Sequence, residues 1–513
     1  MSSLANQHIL CLGNNTEDTD VKTRSLASAA QAHCHGLLSD LDGTVTVDSI
    51  KDHGYYHTSV YDIEYGKLID LADYFDTVIV LDQPRDQYSH PDAFYKTIRL
   101  AREIRSRTQV KLLNPEYETD IDFFENLVQT NTSFCIFPFI ELLTNQRDDG
   151  QTTVCCRSTT PITHVDQIND FATDKNYKII RDKMLQGVPV PEHCNTCYAL
   201  EDKNIRSARQ QETVEWANRL DLSSFEDLKK ITNPAYYEIR PGNICNLQCR
   251  MCEPGSSQLI GKEYRRLNLI SKLPPPQRSD FDIVDFTNLK KLYVAGGEPT
   301  AMPKFYDFLD KCIAEDRVFE FLVNTNGTKL NNRFKKQLMR LPHMQFTVSI
   351  DGFDQLNHYV RWPSEWPRIA DNVRYLVDNG HTVNFNTTVS IYNVIGLYEL
   401  FAWFDQSFPG LLVHASMAQS KNNMLSALIF PDARLAKDRL LPIQQLKCYK
   451  NDGLLRSTID GLISYYDANP VVDQEKLTQF FEFNSKLDQS RNIQLVDYIP
   501  ELAKHKDKYE RRH

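Results

Sequence analysis

Ile244-Cys245-Asn246-Leu247-Gln248-Cys249-Arg250-Met251-Cys252 is the stretch on which the reading of this chain turns. Its three cysteines form a CxxxCxxC loop just after the strand-like stretch Tyr236 to Arg240. A closed structural metal site takes four protein ligands. Three thiolates can instead hold three irons of a cubane [4Fe–4S] cluster and leave the fourth iron open to a reactive molecule. The missing ligand points to chemistry rather than architecture.

Outward from that loop, residues from about 235 to 420 repeat a strand-then-helix alternation. The candidate strands are Tyr236 to Arg240, Lys291 to Ala295, Glu320 to Asn324, Gln345 to Ile350, Thr382 to Ser390 and Leu411 to Ala415. Six βα units in a row call for a parallel sheet with right-handed crossovers, open or curled into a partial barrel. Polar motifs fall at regular places: Cys245 after the first strand, Gly296-Gly297-Glu298-Pro299 after the second, Asn324-Thr325-Asn326-Gly327-Thr328 at the end of the third, Ser349-Ile350-Asp351-Gly352 at the end of the fourth. All four are expected on one rim, where barrels of this kind carry their reactive groups.

On these residues the segment resembles the radical SAM superfamily, whose CxxxCxxC loop matches Cys245, Cys249 and Cys252 and whose GGEP motif matches Gly296, Gly297, Glu298 and Pro299. The resemblance implies an α/β fold with a partial (β/α)6 TIM-like barrel and a catalytic [4Fe–4S] cluster. Its open iron would chelate the amino and carboxylate groups of S-adenosylmethionine (SAM). Reduction would then release methionine and a 5′-deoxyadenosyl radical that takes hydrogen from a substrate. Such chemistry belongs to the cofactor, while the protein orients it and excludes water and oxygen. By the same likeness Glu298 meets the cofactor's ammonium and Gly296 and Gly297 let backbone approach it. Asn326 meets methionine or ribose oxygens, Ser349 and Asp351 meet ribose, and Arg361 partners a carboxylate. One departure stands out: Met251 occupies the position before the last cysteine that is usually aromatic, although a thioether can also cover a ring face.

The twelve cysteines are unevenly spread, with most of them between Cys135 and Cys252. The spacing Cys135, Gly150, Cys155 resembles the opening half of SPASM and Twitch auxiliary domains, and Cys194-Asn-Thr-Cys197 adds a CxxC pair. The resemblance implies a second, auxiliary [4Fe–4S] cluster on Cys135, Cys155, Cys194 and Cys197, with Cys156 as a spare. Four cysteines suit tetrahedral zinc equally well by spacing. Cys11, Cys34, Cys312 and Cys448 are scattered and read as ordinary thiols.

With 513 residues, 41% hydrophobic and 25% charged, the chain is long enough for two or three globular domains. Its net charge of −10 argues against broad contact with nucleic acid. Met1 to Gly13 has no basic n-region and only the short apolar run His8 to Leu12, so it does not read as a signal peptide, and no stretch reaches the roughly 20 apolar residues of a membrane helix. A cytoplasmic location is expected, where clustered cysteines bind metal rather than pair as disulfides.

The first 130 residues read as a polar, frayed start and a small α/β unit: strand Thr77 to Leu81, helix Pro91 to Arg107, strand Gln109 to Leu113. Asp40-Leu-Asp42-Gly-Thr44 matches an aspartyl-phosphatase signature, but too few residues follow it for that fold, and it reads as well as a hairpin turn. His33 and His35 with His53 and His57 lack firm ligand spacing. Beyond about 430 the sequence is polar and mostly helical, and its basic tail, Lys504 to Arg512, reads as a solvated helix end.

The expected organisation is therefore an N-terminal α/β domain (1–130), a Twitch- or SPASM-like auxiliary module (131–232), the radical SAM barrel (233–430) and a C-terminal helical extension (431–513). The expected partners are a peptide or protein substrate and a reductant such as flavodoxin or ferredoxin. A small-molecule substrate and a zinc-stabilised, non-enzymatic binding module are the alternatives.

Overall fold

The computed structural model describes residues 130–144, 150–202, 207–274, 280–316, 318–418, 423–451, 453–468 and 470–506, with 123–124, 126–128 and four strands upstream of them. The chain divides into two units: Met1–Phe139 with Tyr177–Thr232, and Ile140–Asn176 with Asn233–His513.

The first unit holds a parallel sheet of β1 (His8–Leu12), β2 (His33–Gly36), β3 (Thr77–Val80) and β4 (Gln109–Leu112), in the order β2-β1-β3-β4. The two expected strands are present as β3 and β4, and they pair in parallel. The apolar run at His8 forms β1 between β2 and β3, while the polar residues around it, expected to be frayed, lie outside the described residues. A five-residue apolar run is too short to declare itself without the neighbours that accept its hydrogen bonds. His33 and His35 lie on β2, whereas Asp40, Asp42, His53, His57 and the expected helix Pro91 to Arg107 lie outside the described residues.

The second unit is built on an eight-stranded, mostly parallel sheet with the order β12-β11-β10-β9-β8-β7-β5-β6. Its members are β5 (Glu141–Thr144), β6 (Thr152–Thr153), β7 (Tyr236–Ile239), β8 (Lys291–Val294), β9 (Glu320–Thr325), β10 (Met344–Ser349), β11 (Thr382–Val389) and β12 (Val413–Met417). From β7 to β12 spatial order follows chain order, as consecutive βα units require. β5 pairs in parallel with β7 and in antiparallel with β6. Residues 140–176 thus group with this sheet, and the 131–232 stretch is divided between the two units.

Alternation on β8 to β11 separates two faces. Leu292, Val294, Phe321, Val323, Phe346, Val348, Val383 and Phe385 are buried. The opposite face is half-exposed and polar, with Tyr293, Asn324, Thr347, Asn384 and Asn386. The register sets Thr347 beside both Asn324 and Asn384. After β12 the chain returns as helices, of which Gln474–Arg491 is the longest described. Asp473 caps it by accepting from Lys476 N at 3.0 Å, and Asn492 closes it in the left-handed region at φ 53°. Its Leu477, Phe480, Phe481 and Leu487 are buried. No described helix is long and apolar enough to cross a membrane.

In the first unit one guanidinium ties three segments together. Arg209 is buried and pairs with Glu201 at 2.6 Å, while also donating to the carbonyl oxygens of Asn131 and Phe134. Removing one partner of a buried ion pair strands the other. Arg209→Met should lower the stability of this unit by about 3–5 kcal/mol, measured by urea melting of the full-length protein.

Candidate functional site

The cysteine loop is held on every side by backbone hydrogen bonds. Glu298 N donates to Ile244 O at 2.8 Å, Gln248 N to Trp362 O at 2.6 Å, Arg250 N to Val360 O at 2.8 Å and Gln258 N to Asn243 O at 2.9 Å. Ser257, which caps the following helix Gln258–Arg266, also donates through its hydroxyl to Leu247 O at 3.1 Å. The GGEP turn sits directly against this loop. Gly297 has φ +56°, and a Cβ there would lie 2.5 Å from Ile244 O and 2.8 Å from Gly242 O. Glycine is needed because two stretches of main chain meet with no space for a side chain.

Cys245, Cys249 and Cys252 are half-buried. Burial is the first cause that raises the Cys245 thiol, followed by Cys249, Glu298 and Cys252 as neighbouring negative groups. Burial pushes Cys252 up to about 12, again with Cys249 adding to the rise. Cys249 is raised by burial and drawn back first by Arg361. Burial thus holds all three thiols toward their protonated form, so a cation bound there would displace protons. Among the described residues no three His, Cys, Asp or Glu side chains are grouped tightly enough for a single metal ion. The donor set itself, three thiols on one pinned loop, suits an iron–sulfur cluster.

Glu298 is 1% exposed and joins the GGEP turn to the end of β9. Its Oε1 accepts from Thr300 N at 3.1 Å, Thr300 Oγ1 at 2.6 Å and Thr325 Oγ1 at 2.7 Å, and its Oε2 accepts from Asn326 N at 2.6 Å. Burial raises this carboxyl, and those donors pull it back. Asn326 carries the network onward. Its Nδ2 donates to Asn246 Oδ1 at 3.1 Å, and Asn246 Nδ2 donates to Thr328 Oγ1 at 2.8 Å. Asn246 lies inside the cysteine loop, so one chain of hydrogen bonds links loop, GGEP turn and β9 turn.

The other expected cofactor contacts also have protein partners. Ser349 Oγ donates to Asn324 Oδ1 at 3.1 Å. Asp351, 1% exposed, accepts from Thr388 N at 2.7 Å and pairs through Oδ2 with Arg361 Nε at 2.5 Å. Two residues expected to meet a ligand separately thus meet each other, and the Arg361 charge reaches Cys249 and Cys252 as well. Asn246, Thr325 and Thr328 belong to the motifs read from the sequence but had no role assigned there, and Thr300 and Asp351's partner Thr388 were missed. The available signal was the repetition of small polar residues around the turn after β9.

The second cysteine group is distributed. Cys135, Cys194 and Cys197 are buried in the first unit, and Cys155 and Cys156 are in the second. Cys194 and Cys197 lie three apart on the helix Pro191–Glu201, and burial, then Cys197, pushes the Cys194 thiol up to about 12. Arg209 joins Glu201 of that helix to Phe134 O, next to Cys135. Gly150 has φ +87°, and a Cβ there would sit 2.7 Å from the His164 ring, so the glycine of the spacing motif packs against an imidazole.

Residues 239–399 match the family model of the Radical SAM superfamily. No curated protein matches the sequence. Among solved structures, the chain is similar to native anSMEcpe with bound AdoMet, at 16% identity over 41% of this chain and 59% of that one, with a TM-score of 0.29. It is similar to Streptococcus suis SuiB bound to S-adenosylmethionine at 16% identity over 48% and 54%, TM-score 0.28. For SuiB bound to the precursor peptide SuiA the figures are 15% over 64% and 64%, TM-score 0.27. The chain spans less than two thirds of each of these proteins.

The Gly297 contact gives a direct test. Gly297→Ala should cost about 1–3 kcal/mol of stability, because the residue must hold a left-handed backbone against two carbonyl oxygens. Thermal melting of the metal-free protein measures it, and an unchanged midpoint would mean that the loop and turn do not meet so closely.

Proposed function

We propose that this protein is a radical SAM enzyme that binds a [4Fe–4S] cluster on Cys245, Cys249 and Cys252 and SAM beside it, and takes a hydrogen atom from a peptide or protein. The observation that carries the reading is the direct seating of the GGEP turn on the CxxxCxxC loop within a segment that matches the superfamily. When bound, the reduced cluster and SAM supply a 5′-deoxyadenosyl radical.

The protein's own residues divide the remaining work. The cysteine thiols, raised by burial, ionise as they take iron, so loading releases protons and improves with rising pH. Glu298 would be the carboxylate that meets the cofactor's ammonium, and its Oε2 accepts one hydrogen bond where Oε1 accepts three. Gly296 and Pro299 shape that turn, and Asn326 fixes the carboxylate's position. The Asp351–Arg361 pair keeps a cation near two of the thiols, and Ser349 opens onto the polar face with Asn324, Thr347, Asn384 and Asn386. Strands β7 to β12 are the (β/α)6 part of a partial barrel in this reading, with that face as its substrate side.

Cys135, Cys194 and Cys197, which share the first unit, are proposed to carry an auxiliary cluster, and the Cys135–Gly150–Cys155 spacing nominates Cys155. Auxiliary-cluster families of this type often modify peptides or proteins, which supports the substrate class. Thiolate ligands fit a reducing compartment such as the cytoplasm, with flavodoxin or ferredoxin as the electron donor.

Anaerobic reconstitution should give about eight irons per chain if both clusters are cubanes, with reductive release of 5′-deoxyadenosine. Replacing Cys245, Cys249 and Cys252 with Ala should remove about half the iron and all of that release, and surviving release would sink the catalytic assignment. Replacing Cys135, Cys155, Cys194 and Cys197 with Ala should lower iron yet leave some uncoupled SAM cleavage. Unchanged iron there would mean that this group holds no cluster.

A further inference from the structure

Arg250 lies between Cys249 and Cys252 in the chain, yet its side chain is 0% exposed. Its Nε donates to Tyr359 O at 2.8 Å, one terminal nitrogen to Asn484 Oδ1 at 2.7 Å and the other to Asp488 Oδ1 at 2.6 Å. The guanidinium also stacks on the Tyr359 ring, 3.7 Å from its centroid. Asn484 and Asp488 belong to the helix Gln474–Arg491, far beyond residues 239–399 that match the superfamily.

A second tie fixes the other end of the loop. Glu263, on the helix that leaves the loop, accepts from Arg491 at 3.0 and 2.6 Å and from Ser490 Oγ at 2.9 Å. The same long helix therefore grips the loop from within, through Arg250, and just after it, through Glu263. Asp488 is itself fixed by Tyr359, whose hydroxyl donates at 2.9 Å, and by Leu495 N at 2.9 Å.

Stability alone does not call for this arrangement. Burying two charges costs several kcal/mol each, and well-packed apolar residues of similar volume often replace such a pair without loss. What an apolar residue cannot supply is the rigid, directional fork of a guanidinium. Here that fork sets the path of the backbone between two thiols.

We propose that the helix Gln474–Arg491 is part of the cluster site and that Arg250, held by Asn484 and Asp488, is a positioning residue that fixes Cys249 and Cys252 for the cluster. This rests on the reading of Cys245, Cys249 and Cys252 as cluster ligands. Outer-shell partners that orient metal ligands typically contribute 10–100-fold in metal affinity; Arg250 bonds Tyr359, Asn484 and Asp488 rather than a cysteine sulfur, so it would orient the ligands through the backbone it holds.

The test uses the double variant Arg250→Met/Asp488→Leu, which removes both charges together, and Arg250→Lys, which keeps the charge and loses the fork. In reconstituted protein the double variant should lose iron to a chelator about 10-fold faster and give an altered electron paramagnetic resonance spectrum of the reduced cluster. Arg250→Lys should fall between the two. A folded double variant, or a folded Arg250→Lys should the double variant not fold, with wild-type iron loss and an unchanged spectrum would overturn the proposal. Hydrogen exchange of amides 245–252 in metal-free protein separates this from the cluster reading itself. Faster exchange in the variants supports the brace even if wild-type protein binds no iron, which would instead refute the cluster, and equal exchange refutes the brace.

Discussion

The close approach of Gly297 to the carbonyl oxygens of Ile244 and Gly242 is the constraint around which the second unit's polar rim is arranged. Because no side chain intervenes, Glu298 N reaches Ile244 O, and the carboxylate that follows is drawn into the protein. A buried carboxylate needs donors. Thr300, Thr325 and Asn326 provide them, which fixes the end of β9 to the same turn. Asn326 then holds Asn246, which closes the chain of contacts back onto the cysteine loop.

Around that core the charges are paired rather than left to solvent. Asp351 with Arg361, Arg250 with Asp488 and Glu263 with Arg491 are all largely buried ion pairs about the same loop. Each is costly to desolvate, and the Arg250–Asp488 pair is surrounded by further hydrogen bonds that make it tolerable. The result is a rim with little freedom. A site that must hold a reactive centre in fixed geometry benefits from residues locked by their own partners.

Much of this was legible in the chain. The six expected strands from Tyr236 to Ala415 appear as β7 to β12 with shifts of only a residue or two at most ends, since βα alternation and apolar runs report a parallel sheet strongly. The motif residues also fall at the strand ends expected for them. Less legible was β5, a four-residue strand whose sheet partner β7 lies nearly a hundred residues away. Short, isolated runs carry no period of their own. The ion pairs were illegible for a similar reason: nothing local tells Arg250 that Asp488 exists.

The sequence by itself determined which atoms are available for chemistry: three thiols with no fourth, a glycine pair before a carboxylate, and strand ends that would share a rim. These are local facts, written in spacing and residue type. Only the tertiary structure decided how those groups are held, because partners such as Asp488 for Arg250, Thr388 for Asp351 and Thr325 for Glu298 come together through folding across long stretches of chain. Burial then gave those contacts their strength, since a charge removed from water depends on the few groups that face it.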